Sequence, residues 1–199
     1  DLEHLRPLAS LNGTPVFDAF AGADKPSATL KEEMIQDLTD SLADHAQKEE
    51  GTLAEWLESP YSFAESPALA AIYNTPAWDG ASQPPRFPEG ERAGLVTRAV
   101  LLATGSANTR PIMKGVLIRE RLLCDKLGAP PQNAFGKLPD LSGEKTTRGL
   151  VVAVTEDPQS ACSGCHTTQI NPLGFATEGF DSLGRVRQTQ DLYNDKGGI

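Results

Sequence analysis

The chain has 199 residues, with 27 Asp and Glu against 18 Lys and Arg, and a formal net charge of −9. This length suffices for one domain or two small ones with a proper core. The acidic balance excludes a general nucleic-acid binder, which needs a basic surface to neutralise phosphates. No stretch approaches the roughly 18 apolar residues of a membrane span. Of three Cys and three His, two Cys and one His fall within five consecutive residues.

The N-terminal part predicts short helices after an irregular start. Residues 1–27 are interrupted by Pro and Gly and predict an irregular arm. Apolar residues at i, i+4 spacing predict a helix over residues 28–48. Two shorter helices, separated by a Ser-Pro turn, are predicted at residues 52–57 and 66–73.

A Pro-rich stretch divides the chain. Residues 75–90 contain four Pro together with Gly and Ser, and they predict a loop or linker. We therefore place a domain boundary here. Residues 1–78 are interpreted as the C-terminal part of a helical domain with its irregular arm, and residues 79–199 as a second domain.

The second domain begins with another helical block. Helices are predicted over residues 91–104 and 111–126, with Pro111 in the first turn of the latter. The second of these helices carries an apolar stripe that is predicted to be buried: Ile112, Val116, Leu123 and Leu127. Three further apolar residues lie on the shoulder of this stripe: Met113, Leu117 and Cys124. Cys124 is accordingly expected to be a buried, inert thiol, with a reactive thiol or an intermolecular disulfide as the alternative. Residues 129–142 are Pro-rich and predicted extended, and residues 145–154 predict a helix or a short strand. The predicted fold class is mostly α, with long Pro/Gly-rich loops and little strand.

Residues 162–166 read C-S-G-C-H, the C-x-x-C-H attachment motif of c-type haem. Two thiols on one helical turn can each add to a vinyl group of the porphyrin and form a thioether bond. His166 then points its imidazole at the iron as the proximal ligand. One alternative is a structural zinc site, which needs a second Cys or His pair. A second is a thioredoxin-like redox pair, which needs a βαβ context. A third is a disulfide between Cys162 and Cys165.

The sequence around the motif resembles a known family. The motif is followed by I-N-P-L-G-F-A at residues 170–176 and F-D-S-L-G-R-V-R at residues 180–187, and preceded by R-A-G-L at residues 92–95 and T-R-P at residues 109–111. This pattern is similar to the haem segment of planctomycete-type cytochrome c proteins. The resemblance implies a cytochrome-c-like haem domain within a large, multi-domain, secreted bacterial polypeptide of largely unknown function. These 199 residues are therefore expected to be a fragment of a longer protein.

Residues after the motif are candidates for contacts with the haem. Pro172 is expected to end the helix that begins around the motif. Apolar side chains at helical spacing are predicted to cover one edge of the porphyrin, or to form ordinary core: Leu173, Phe175, Phe180 and Leu183. Arg185 and Arg187 are candidates to pair with the haem propionates, because Arg offers a bidentate fork to carboxylates. The alternative for both is a solvated charge pair.

The sixth iron ligand is not given by the motif. No Met or His follows His166, so a ligand of the usual type must come from upstream. Met113 is the first candidate, with a core Met as the alternative. His45 is the second, Met34 is expected in the core, and His4 belongs to the irregular arm. The position is otherwise open, or filled by Lys or Tyr.

These observations predict an exported mono-haem c-type cytochrome that transfers single electrons. One haem c would be attached covalently through Cys162 and Cys165. Because thioether attachment follows export, the expected location is the bacterial periplasm or the extracellular space. Expected partners are redox proteins, or other domains and subunits of the same assembly, and not nucleic acid. The alternatives are the haem subunit or domain of an oxidoreductase or peroxidase-type enzyme, and a haem-stapled structural module of an extracellular assembly.

Overall fold

The computed structural model describes most of the chain: residues 8–48, 51–130, 143, 146–193 and 196–197. Helix dominates, which confirms the mostly-α fold class. Within these residues, β pairing is limited to two isolated bridges, Tyr61 with Arg86 and Phe180 with Val186. In the same part of the chain, no helix is both long and apolar enough to cross a membrane.

The described residues form two compact units. The first comprises those of Asp1–Ala107, Phe180–Arg187 and Tyr193–Gly198, and the second those of Asn108–Gly179 and Gln188–Leu192. The chain thus leaves the first unit after Ala107 and returns to it at Phe180. The domain boundary predicted within the loop at residue 78 is not tested by this division and stays a prediction.

The first unit contains five α-helices, numbered α1 to α5: Pro15–Ala21, Leu30–Ala46, Leu53–Leu57, Pro67–Tyr73 and Ala99–Leu102. Local sequence explains their starts. Pro occupies the first turn of α1 and α4, where no N–H is needed. At α3, Thr52 and Glu55 form a capping box, in which each side chain accepts from the other residue's backbone N–H. Short 3₁₀ helices lie at Leu8–Leu11 and Leu95–Thr97.

A buried ion pair organises the core of this unit. Arg98, with 1% of its side chain exposed, donates from Nη1 to both carboxylate oxygens of Asp37 at 2.8 and 2.9 Å. Asp37 also accepts from the Tyr73 hydroxyl and the Phe63 backbone N–H. Burial of the Tyr73 hydroxyl beside this carboxylate raises the Tyr73 pKa well above its usual value. The charges are therefore compensated by a nearly complete set of hydrogen bonds, as buried charges require.

The same ion pair explains why the helix predicted over residues 91–104 is wrong. The chain forms only Leu95–Thr97 and α5, because Arg98 between them is extended, with φ −70° and ψ 141°. Its side chain thereby reaches Asp37. Gly94 has φ +71°, and a Cβ there would overlap the carbonyl oxygen of Leu57.

The irregular N-terminal arm is also a wrong prediction over its described residues. Leu8–Leu11 and α1 are helical, and Leu8 and Phe17 are 1% and 2% exposed in the core. Burial of these two side chains outweighs the local Pro and Gly signals. The predicted loop over residues 75–90 is confirmed, since no helix or strand lies there.

The second unit contains four further helices, α6 to α9: Pro111–Leu117, Thr147–Thr155, Ser163–Cys165 and Asn171–Phe175. Two π-helical segments, Ile118–Leu122 and His166–Ile170, continue α6 and join α8 to α9. The helix predicted over residues 111–126 therefore ends early, at Leu122. The helix-or-strand alternative at residues 145–154 resolves to helix α7, whose first turn is capped by Thr146. Residues 129–142 are predicted to be extended, and most of them, residues 131–142, lie outside the described residues.

Candidate functional site

The C-x-x-C-H motif lies on one continuous helical stretch of the second unit. Cys162 caps α8, Cys165 ends it, and His166 begins the π-helical segment. The His166 backbone N–H donates to the carbonyl oxygen of Cys162, so the motif forms a single turn. Cys165 is exposed, Cys162 and His166 are partly exposed, and no disulfide joins the two cysteines. Both thiols and the imidazole are thus presented from one turn.

Pro172 does not end this helical stretch, contrary to the prediction. It sits in the first turn of α9, and the chain remains helical through Phe175. The preceding π-helical segment, His166–Ile170, accommodates it. Proline lacks the N–H that a helix interior needs, but it is tolerated in the first turn of α9, where that N–H has no partner within the helix.

The His166 ring is held by a buried amide. Its Nδ1 lies 3.0 Å from Oδ1 of Asn171, which is 0% exposed. The amide nitrogen of Asn171 lies 2.9 Å from the Thr155 hydroxyl oxygen and 2.8 Å from a carboxylate oxygen of Glu156. The Thr155 hydroxyl in turn donates to the carbonyl oxygen of Val151, at 2.7 Å. Asn171 thus connects the motif to the C-terminal end of α7.

These contacts determine the tautomer of the imidazole. The Thr155 hydroxyl has given its proton to Val151, and the Glu156 carboxylate has none to give, so both accept from Asn171 Nδ2. Oδ1 of Asn171 therefore faces His166 as an acceptor, and His166 Nδ1 must carry the proton. The lone pair is left on Nε2, which is the form that ligates a metal. Sequence reasoning quoted Asn171 only as part of the I-N-P-L-G-F-A run and gave it no role.

Helix α6 packs closely against the motif segment. A Cβ on Gly115 would overlap the carbonyl oxygen of Ile170, and one on Gly174 would overlap the carbonyl oxygen of Pro111. Two glycines thus let the backbones touch at two successive turns. This contact fixes the position of α6 beside the segment that carries His166 and Asn171.

The buried face of α6 is not the predicted apolar stripe. Pro111, Lys114 and Gly115 are buried, whereas Met113 is 62% exposed and Leu117 37%. The close backbone contact places Gly115 on the inner face, while Ile112 and Val116 of the predicted stripe are half-buried. Burial lowers the Lys114 pKa to about 7, and the Glu178 carboxylate opposes this change.

The second unit has very little core of its own. Among the described residues, Val151 and Ile170 are its only buried hydrophobic side chains besides Pro111. Most of the large hydrophobic side chains that the structure exposes belong to it: Met113, Leu117, Leu122, Leu123 and Val152. Exposed side chains of this kind offer apolar surface to an apolar group. Together with two thiols and an imidazole lone pair on one turn, it fits a covalently attached porphyrin.

The other predicted contact residues divide between the units. In the second unit, Leu173 and Phe175 are half-buried on α9, and the Arg148 guanidinium lies 4.6 Å from the Phe175 ring centroid. Phe180 belongs to the first unit, as do Leu183, Arg185 and Arg187. The helical spacing expected from Leu173 to Leu183 is wrong, because α9 ends at Phe175.

Arg185 already has carboxylate partners. Its Nε donates to Asp181 at 2.6 Å, its Nη1 to Asp24 at 3.1 Å, and its guanidinium stacks on Phe20. The predicted propionate pairing of Arg185 and Arg187 stays a prediction, and so do the predicted haem contacts of Pro172, Leu173, Phe175 and Phe180.

The remaining ligand candidates lie in the first unit or outside the described residues. Met34 is 0% exposed in the core, as expected. His45 is half-buried on α2, and its Nε2 has no hydrogen-bond partner within the part of the chain that the structure describes. His4 lies outside the described residues. Cys124, expected to be buried, is exposed at φ +53°, because the helical segment ends before it, at Leu122.

The site's chemistry and the comparisons with known proteins agree. Two thiols and an Nδ1-protonated imidazole on one helical turn are the groups that a c-type haem requires. Residues 92–190 match the family model described as PSCyt3, a protein of unknown function (DUF1588). Over these residues the chain belongs to the planctomycete cytochrome c-type family, which confirms the resemblance and indicates a haem-related role, with haem c the cofactor that the family suggests.

No match was found among curated proteins or among solved structures. In the described part of the chain, no three His, Cys, Asp or Glu side chains are grouped so that they could hold a metal ion by themselves.

The backbone contact of α6 is testable by Gly115→Ala. Alanine normally stabilises a helix interior, by about 1 kcal/mol relative to Gly. Here we expect the free energy of unfolding to fall by about 1–3 kcal/mol, because Cβ would force the two helices apart. Urea unfolding followed by circular dichroism measures it. Gly179→Ala is the control, since a Cβ there meets no atom within 4 Å, and an equal loss in both variants would contradict the close contact.

Proposed function

We propose that this chain is an exported mono-haem c-type cytochrome domain that transfers single electrons. The observation that carries the proposal is the His166 imidazole, with Nδ1 donating to buried Asn171 and the lone pair left on Nε2. Family membership supports a haem-related role. Covalent haem attachment with axial ligation requires a histidine with a free Nε2 lone pair, placed directly after the second of two accessible thiols.

The chain's own residues would hold the haem in three ways. The thiols of Cys162 and Cys165 would each add across a vinyl group, the sulfur bonding to carbon and the proton passing to the terminal carbon. His166 Nε2 would ligate the iron. The exposed apolar side chains of the second unit would cover the porphyrin and exclude water. The bound haem would supply one-electron chemistry at its iron.

We assign the sixth ligand to Met113. Its thioether is exposed in the same unit as His166, and α6 packs against the segment that begins at His166. A His and Met pair would give a closed, six-coordinate iron with a raised potential, suited to electron transfer rather than to substrate binding.

Location and partners follow from the same chemistry. Thioether attachment requires export and a maturation compartment, so the proposed location is the periplasm or the extracellular space. The net charge of −9 would steer the domain toward basic redox partners, or toward other parts of the same assembly.

A structural contribution of the haem is a second candidate function. The scant core of the second unit favours it, because a buried porphyrin would provide the apolar interior that this unit otherwise lacks. The two functions are compatible, and loss of haem would then also unfold the second unit.

Intact-mass measurement tests haem attachment. The chain is expressed with a bacterial cytochrome c maturation system, and we expect its mass to increase by one haem, with a pyridine haemochrome typical of two thioether bonds. Cys162→Ala should keep the haem by one thioether and shift the haemochrome band to longer wavelength. Cys124→Ala is the control and should behave as the unaltered chain. A fully matured preparation without covalent haem would overturn the proposal.

The Met113 assignment is tested separately by the spin state. We expect Met113→Ala to convert the ferric iron from low to high spin, because its axial thioether is lost. Leu117→Ala, one turn further along α6 and also exposed, should stay low-spin. Visible and electron paramagnetic resonance spectra report the change. A low-spin ferric spectrum in Met113→Ala would contradict the assignment.

A further inference from the structure

We propose that Asn171 and Glu156 are positioning residues that orient the His166 imidazole and lower the reduction potential of the iron. This inference rests on the proposed function and deepens it. The contacts form one directed chain: His166 Nδ1–H donates to Asn171 Oδ1, and Asn171 Nδ2–H donates to the Glu156 carboxylate. A negative charge is therefore connected to the imidazole through a single amide.

The amide is well placed to transmit this charge. Asn171 is 0% exposed, so no bulk water competes for its oxygen or its nitrogen. When the Glu156 carboxylate accepts a hydrogen bond from Asn171 Nδ2, the negative charge on Oδ1 increases, because the two ends of an amide share their π electrons. A stronger acceptor at Nδ1 makes the imidazole a more basic ligand, which stabilises the ferric iron.

The amide is also held against rotation. Nδ2 has two acceptors on α7, the hydroxyl oxygen of Thr155 at 2.9 Å and the carboxylate of Glu156 at 2.8 Å. Rotating the amide by 180° would place Oδ1 against two acceptors and Nδ2 against the Nδ1 proton. The contacts of Asn171 with the end of α7 therefore fix both the tautomer and the ring plane of the His166 imidazole.

The chain offers a matched pair of variants for this effect. Glu156→Gln keeps an oxygen that can accept from Asn171 Nδ2 but removes the negative charge. Asp157→Asn removes the same charge one residue later, where the side chain is exposed and, among the described residues, accepts only from the Gln159 backbone N–H. A merely structural role predicts no larger effect at Glu156 than at Asp157. Transmission through Asn171 predicts a larger effect at Glu156.

The experiment measures the midpoint potential of the haem-loaded full chain and its two variants by spectroelectrochemistry. We expect a positive shift in Glu156→Gln that is at least twice the shift in Asp157→Asn. Equal shifts, with one haem per chain in all three proteins, would overturn this inference and leave the proposed function intact. Absence of covalent haem from the unaltered chain would overturn both.

A second variant separates orientation from charge. Thr155→Val removes one acceptor of Asn171 Nδ2, at nearly constant volume and without a change of charge. We expect the amide to rotate more freely, and the His166 Nδ1 proton of the ferrous protein to exchange with solvent at least threefold faster. Nuclear magnetic resonance measures that exchange, with Thr168→Val as the control, because the Thr168 hydroxyl donates only to Gly164. Unchanged exchange in Thr155→Val would overturn the orienting role.

Discussion

The buried side-chain amide of Asn171 is the contact on which the geometry of the second unit depends. It accepts from the His166 ring, donates to Thr155 and Glu156 at the end of α7, and opens α9 through its own backbone. Both its oxygen and its nitrogen are satisfied while it is fully buried, which is the condition under which a buried polar group rigidifies its surroundings. The π-helical segment His166–Ile170 follows from it, since the wider turn brings Asn171 under the imidazole and admits Pro172.

The two units are built in different ways. The first has a hydrophobic core and a buried Arg98–Asp37 pair with nearly all of its hydrogen bonds made, and the described residues suffice to explain its packing. The second joins α6 to the motif segment by contact of backbones at Gly115 and Gly174 and exposes its larger apolar side chains. A unit of this kind lacks an interior, and a porphyrin held by Cys162 and Cys165 would supply one.

Sequence patterns predicted what depends on local chemistry. The five-residue motif, α2 and the short helices α3 and α4 follow from spacing and caps alone. The predictions failed where distant contacts decide the structure: Arg98 interrupts a helix to reach Asp37, and the contacts at Gly115 and Gly174 put Pro111, Lys114 and Gly115 on the buried face of α6 instead of the predicted apolar stripe. That stripe had been assigned to protein core because periodicity marks an apolar face without saying what covers it. Asn171 was missed for a related reason, since its partners on α7 lie far from it in sequence.

The central claim is that His166 binds the haem iron through Nε2 while Nδ1 donates to Asn171. The most direct test is nuclear magnetic resonance of the ferrous, haem-loaded chain labelled with ¹⁵N in histidine. The account predicts one histidine with ring protons displaced by the porphyrin ring current and a slowly exchanging proton on Nδ1. Three histidines with ordinary ring-proton shifts, or a His166 that carries its proton on Nε2, would contradict it.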